Sequence, residues 1–387
     1  MKHSRLFLLL AALPLLAGGA RAENLESIIT NVLSASAPPH TSIIFIQCHG
    51  LGGGDLSCYG QTNFQTPNLD QLAAGGVRLT GYHADGAEFS RAQAALMTGK
   101  AAAFAPGETT VAQRLQAAGY HTGLIGEWTL GSQPWTQGFD EFAGFLNSDE
   151  GKNYYSDFVW RHAPKSIVNE TNKTLGDFNG REMLYPNTGG KRGQYLPDLF
   201  INAAANFARI NQPERFNRFR PFFLLVNLPA PRTATTGADD FPVPTDAPFT
   251  GENWPQAAKN RAALITRLDA GVGRLLEKLQ KIGLTNDVAI FFTSAVPPEK
   301  FADTNLVKWF RPDGNFSGEK KSGPTPLPMI AHWPGNFPAG TVSGVNCSAQ
   351  DFAPTLLELA LQKTPTNFTG QSMLPALLGR QPEPAKP

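Results

Sequence analysis

Apolar residues along this chain gather in short unbroken runs separated by stretches with a helical period. Ile43–Gln47 is a continuous apolar run ahead of a glycine-rich segment, the pattern of a strand buried on both faces. Phe222–Leu228 (FFLLVNL) and Val288–Thr293 (VAIFFT) repeat that pattern, and Thr122–Gly126 and Met329–His332 read as shorter strands. Between them lie helices. Pro67–Ala74 opens on proline, whose fixed φ suits a first helical turn, and repeats Leu69 and Leu72. Val111–Ala118 is stopped by Gly119, and Asp351–Ala360 forms a last helix. The clearest helix is Ala262–Ile282, where Ile265, Leu268, Val272, Leu275, Leu276 and Leu279 make one stripe. Arg267, Arg274, Glu277 and Lys278 lie opposite that stripe, and Gly283 ends the helix. Strands alternating with helices imply an α/β fold: a mainly parallel sheet covered by helices on both faces, with any site at the C-terminal strand ends.

The pattern also sets boundaries. Lys2, His3 and Arg5 precede the apolar run Leu6–Leu16, and Ala20-Arg21-Ala22 offers small residues for cleavage, which predicts a signal peptide over 1–22 and export, periplasmic or secreted. That run is too short to span a bilayer, and no later stretch approaches ~20 apolar residues, so no membrane insertion is expected. A lead-in over 23–41 would precede one large domain over 42–379, followed by a proline-rich, disordered tail over 380–387. Asn147–Gln194 is rich in Asn, Gly, Lys and Tyr with weak periodicity and reads as long surface loops, as does Thr233–Pro255. Hydrophobic residues at 41% suffice for a large core, and a net charge of +1 without a basic block excludes a nucleic-acid partner. Cys48, Cys58 and Cys347 form no CxxC pair; a Cys48–Cys58 disulfide is conceivable, although Cys48 reads as a small buried residue.

Specific motifs sharpen the picture. Ile43–Gly60 (IIFIQCHGLGGGDLSCYG), Thr66–Ala84 (TPNLDQLAAGGVRLTGYHA), Ala94–Lys100 (AALMTGK) and Leu115–Gly131 (LQAAGYHTGLIGEWTLG) come in order. Gly138–Phe142 (GFDEF), Pro221–Arg232, Ile265–Ser294, Phe316–Lys320 (FSGEK), Trp333–Gly335 (WPG), Gln350–Leu359 and Gly370–Gly379 follow. Together they resemble the sulfatase family of the alkaline-phosphatase superfamily over most of Ser42–Gly379. The resemblance implies a sulfuric ester hydrolase. Its nucleophile would be a formylglycine made from Cys or Ser in a Cys/Ser-x-Pro/Ala-x-Arg segment. Its calcium would be held by an Asp-Asp pair after the first strand and an Asp-Asn pair after a later one. It also implies a smaller C-terminal subdomain, for which almost no residues follow Gly379.

At the chemical positions the chain departs from that pattern. His49 and Gly50 stand for the Asp-Asp pair, and Ala295 and Val296 for the Asp-Asn pair. A neutral imidazole and a bare backbone do not replace carboxylates for a hard cation that takes about 6–8 oxygens. Without a gap, Phe89 falls at the nucleophile, Arg91 at the Pro and Gln93 at the Arg; a one-residue deletion aligns Ser90-Arg91-Ala92 but leaves Ala94 at the Arg. The ordinary reading of Ser90 is an N-cap for a helix through Met97. Glu127 and Thr129 replace the Lys and His of Gly-Lys-Trp-His, and Arg232 replaces the His of Ala-Pro-His. Lys320 alone survives, and Glu127 puts repulsion where a sulfate needs positive groups.

The expectation is therefore an exported sulfatase-family protein that is catalytically degenerate, without cofactor and without the family's calcium. It would act as a binding or scaffold module for a glycan or protein. The alternative is an active hydrolase of the same fold with altered, calcium-independent chemistry. Its pocket would hold His49, Ser90, Arg91, Glu127 and Lys320, beside Asp85 and Glu88, with His49 as base, Glu127 orienting it and Arg91 clamping an anion. On the plainer reading His49 fills vacated space and hydrogen-bonds Glu127 or a carbonyl. No HxxxH or HxH spacing suggests zinc. Asp55 and Asp70 read as turn and cap residues.

Overall fold

The computed structural model describes residues 41–84, 86–163, 178–212, 220–234, 241–299, 309–310 and 325–380. The expected leader, nearly all of the lead-in, the tail beyond Arg380, Asp85 and Lys320 lie outside the described residues. In chain order the elements are β1 (Ser42–His49), α1 (Pro67–Ala74), β2 (Val77–Leu79), α2 (Phe89–Thr98), α3 (Val111–Ala117) and β3 (His121–Glu127). Next come β4 (Glu141–Phe145), β5 (Phe158–Ala163), β6 (Phe178–Met183), α4 (Leu196–Ile210), β7 (Phe222–Pro231) and α5 (Gln256–Lys281). The last are β8 (Val288–Val296), β9 (Met329–His332), β10 (Thr341–Ser343), α6 (Phe352–Leu359) and α7 (Leu374–Leu377).

The ten strands form one sheet in the order β10-β2-β9-β8-β1-β7-β3-β4-β5-β6. Five of its pairings are parallel, including β1 with both β7 and β8, and four at the margins are antiparallel. The fully apolar runs occupy the centre because only there are both faces covered. Ile44, Ile46, Leu224, Val226 and Phe292 face one core with α1, α4 and α5. Ile43, Phe45, Phe223, Leu225 and Phe291 face the other with α2, α3 and α6. Among the described residues no helix is long and apolar enough to cross a membrane.

Two expectations are corrected, and a helix is added. The stretch over Asn147–Gln194 is not all loop. β5 and β6 lie within it and extend the sheet, with Val159 buried and Phe158, Trp160 and His162 on alternate positions. Helix α4, also unanticipated, buries Phe200, Ile201, Ala204, Phe207 and Ala208 along one stripe behind Pro197 in its first turn. Helix α5 begins at Gln256, six residues before the amphipathic stripe, because Ala258 and Arg261 are already buried in its first turns. All three cysteines are free, so Cys48 and Cys58 are not joined.

Candidate functional site

The parallel strands β1, β3, β7 and β8 end together, and the residues that depart from the sulfatase pattern hang from those ends. At the end of β1 a bulge between Cys48 and His49 moves the register from Leu228 to Pro231 on β7, and from Ser294 to Val296 on β8. The chain then passes Gly50 at φ +85°, a left-handed conformation, where a Cβ would meet Arg232 Cα at 3.4 Å. That distance is ordinary contact, so it is the left-handed φ, not a lack of space, that favours glycine here.

His49 stacks on Phe89 with ring centroids 4.6 Å apart and planes 5° from parallel. Its Nδ1 is 3.0 Å from Glu127 Oε2, and Glu127 Oε1 is 2.8 Å from Arg232 Nη2. The second contact is charge pairing rather than an aligned hydrogen bond, since Oε1 has no hydrogen-bond partner. Glu127 is fully buried, Arg232 is 3% exposed and His49 12%. Arg232 Nη2 also donates to Ser148 O at 2.7 Å, and the Tyr154 hydroxyl donates to Arg232 O at 2.5 Å. Behind this row, Gln93 Nε2 and Asn227 Nδ2 each donate to Glu127 O at 3.0 Å. Gln93 Oε1 accepts from the amide of Thr129 at 2.7 Å and from its hydroxyl at 3.0 Å. Ala295 and Val296, the last two residues named from the resemblance, pack with Phe89 and Ala92 as a small apolar cluster.

The structure thus brings His49, Gly50, Phe89, Gln93, Glu127, Thr129 and Arg232 to one place. Ser90 and Arg91 follow Phe89 but make no hydrogen bond or ion pair with this group among the described residues. Both are exposed on α2, and Ser90 is not the N-cap: Glu88 holds that position and Ser90 is the second helical residue. The guanidinium that meets Glu127 belongs to Arg232, not Arg91. Nor does Glu127 present a bare anion to the surroundings, as the sequence suggested, because His49 and Arg232 occupy its two oxygens. Arg232 was visible only as a lost histidine. The signal that could have exposed its role is that two family positions changed to opposite charges, Glu127 and Arg232.

Asp55 is a turn residue, accepting from Gly52 N at 2.7 Å, but it also pairs with the buried Arg261 at 2.7 Å. Asp70 does not cap a helix; it sits within α1 and accepts from Ser57 Oγ at 2.7 Å and Cys58 N at 2.8 Å. Burial, with the Asp70 carboxylate next, pushes the Cys58 thiol up to about 12.

Chemically, His49 and Glu127 have the arrangement of a base and its orienting acid. Among the described residues, however, no hydroxyl or thiol hydrogen-bonds His49; its partner is Glu127. The donors do not suit calcium either. Gly50 has no side chain, Ala295 and Val296 are buried and apolar, and the nearest carboxylate is already paired with Arg232. Among the described residues no group of His, Cys, Asp and Glu could hold a metal ion.

A second feature lies at the far edge of the sheet. A groove of about 540 Å³ runs between α4 and the β4–β6 margin, and Met183, Tyr185 and Ile210 rim it. These three are among the few large apolar side chains that the described surface exposes.

A family model described as Sulfatase matches residues 41–362. The N-acetylgalactosamine-6-sulfatase of Canis lupus familiaris is 28% identical over 380 residues, covering 90% of this chain and 68% of that protein. Arylsulfatase A of Homo sapiens is 28% identical over 387 residues, covering 91% and 70%. Among solved structures, Ps i-CgsB in complex with k-i-k-neocarrahexaose superposes with a TM-score of 0.65 at 24% identity, covering 88% of this chain and 76% of that one.

Proposed function

This chain belongs to the sulfatase family, and from that premise we propose that it is an exported, catalytically degenerate member acting as a binding or scaffold module. One observation carries the reading. Where the family pattern sets a nucleophile and a cation, this chain has Phe89 stacked on His49 and packed against Ala295 and Val296. A phenyl ring offers no nucleophile, and the apolar pair offers no ligand. Restoring one residue would not restore the other, so the losses are joint. Export rests on the charged and apolar leader with its small-residue cleavage site.

The ligand we assign is a glycan, in line with the sugar in the name of the related N-acetylgalactosamine-6-sulfatase. The groove beside β6 supplies a surface for it. Tyr185 is 75% exposed there and offers a sugar an apolar face with a hydroxyl at its tip.

The second reading, a hydrolase with rebuilt, calcium-independent chemistry, draws on the His49–Glu127 pair at the strand ends. One experiment separates the two. Mature protein is screened against aryl sulfates, aryl phosphates, carboxylic esters and glycosides, with His49→Ala and Glu127→Gln alongside, and is applied in parallel to a glycan array. The expected result is no turnover and selective glycan retention, with no formylglycine in the peptide spanning Phe89–Lys100. Turnover that both substitutions abolish would replace the first reading with the second.

A further inference from the structure

Two buried arginines lie at the strand ends where the resemblance would put a cation. Arg232 follows directly on β7 and reaches Glu127, the last residue of β3, at 2.8 Å and Ser148 O, beyond β4, at 2.7 Å. Arg261, on α5, lies 2.7 Å from Asp55 Oδ2 and donates through the same Nη2 to Gly50 O, just past β1, at 3.1 Å. Its Nη1 donates to Pro231 O, the last residue of β7, at 2.8 Å. Pro231 and Arg232 are consecutive, so one short stretch of chain carries one guanidinium and is held by the other, and Gly50 packs against it.

We infer that Arg232 and Arg261, with Glu127 and Asp55, form a metal-independent clasp that ties the ends of β1, β3 and β7, the cross-link a cation would otherwise make there. The inference rests on the reading that the family's calcium has no ligand set in this chain. Each guanidinium neutralises one buried carboxylate, so the clasp carries no net charge. Arg232 Nη2 and both terminal nitrogens of Arg261 also donate to backbone carbonyls at or just beyond the strand ends. Arginine suits this role because its planar, always-charged fork serves a carboxylate and a carbonyl at once. The same two charges would repel an incoming cation, and neither carboxylate is free to receive one.

The test uses the mature full chain. Arg232→Met and Arg261→Met are made alone and combined with Glu127→Gln and Asp55→Asn respectively, and each protein is melted in EDTA and in excess calcium. Each single substitution strands a buried carboxylate and is expected to lower Tm by roughly 5 °C or more. Each charge-free pair should recover at least half of that loss, and no melt should respond to calcium. Single variants within about 1 °C of the parent, paired variants whose losses simply add, or a calcium-raised Tm would overturn the clasp.

Should the methionine variants not fold, Arg232→Lys and Arg261→Lys keep the charge and lose the fork. They should speed amide hydrogen exchange at the ends of β1, β3 and β7, and unchanged exchange there would count against the proposal. Hydrolysis by a calcium-indifferent protein would end the degenerate reading and keep the clasp, whereas a calcium-stabilised protein without hydrolysis would do the reverse.

Discussion

The two ends of β3 carry the same chemical pair in two settings. At the C-terminal end Glu127 lies 3.0 Å from His49, which stacks on Phe89. At the N-terminal end His121 lies 2.8 Å from Glu141 and stacks on Phe207, ring centroids 5.7 Å apart. A histidine held by a glutamate and backed by an aromatic ring is thus an arrangement this chain uses twice. One copy sits on the side of the sheet where this fold does not build sites. The pair alone is therefore no mark of catalysis. What differs is the setting. Glu141 is 20% exposed and accepts from Asn211 at 3.0 Å, and His121 has a second carboxylate, Asp140, at 3.4 Å. Glu127 is fully buried and faces a buried arginine.

That difference sets the largest expected effect. Glu127→Gln leaves Arg232 as an uncompensated buried charge and should cost about 3–5 kcal/mol in urea unfolding. Glu141→Gln should cost no more than about 1 kcal/mol, because solvent and Asp140 still serve His121. Equal losses would erase the distinction between the two ends. Next come the rings behind the histidines. Phe89 and Phe207 are equally buried, so Phe89→Ala and Phe207→Ala should each cost about 3 kcal/mol, and neither should create hydrolysis. A silent Phe89→Ala would mean that the C-terminal end is not packed shut.

The smallest effect concerns a third histidine, which contrasts with both. Burial holds His332, at the end of β9, below the usual imidazole range. Below about pH 6.5 the unfolded chain takes up a proton that the folded His332 refuses, so stability is lost as pH falls through that region and regained as it rises. His332→Gln should flatten the acid limb of a Tm-versus-pH curve. An unchanged limb would show that the acid sensitivity comes from elsewhere.

Much of the fold was legible because the central strands are apolar on both faces, and Ile43–Gln47, Phe222–Leu228 and Val288–Thr293 announce that directly. Helix α1 could be read to the residue from its proline and its leucine spacing. β5 could not, because a marginal strand buries one face only and Arg161 and His162 dilute its alternation. At the site, the motif order located every position that converges. The partner of Glu127 stayed hidden because Arg232 is remote in sequence and meets it only through the alignment of β3 and β7. Ser90 illustrates a local failure: its residue type suits a cap, but the backbone turns two residues earlier, at Glu88.

The pairing of Glu127 with Arg232 also bears on the chain's history and on its redesign. The family pattern has lysine and histidine at these two positions. Changing Glu127 to lysine alone would set two cations against each other in a dry setting, and changing Arg232 to histidine alone would leave the glutamate without its countercharge. Each single step back passes through a less stable protein, so the two substitutions act as a ratchet. A designer seeking to install the family pattern at these two positions would have to exchange both together.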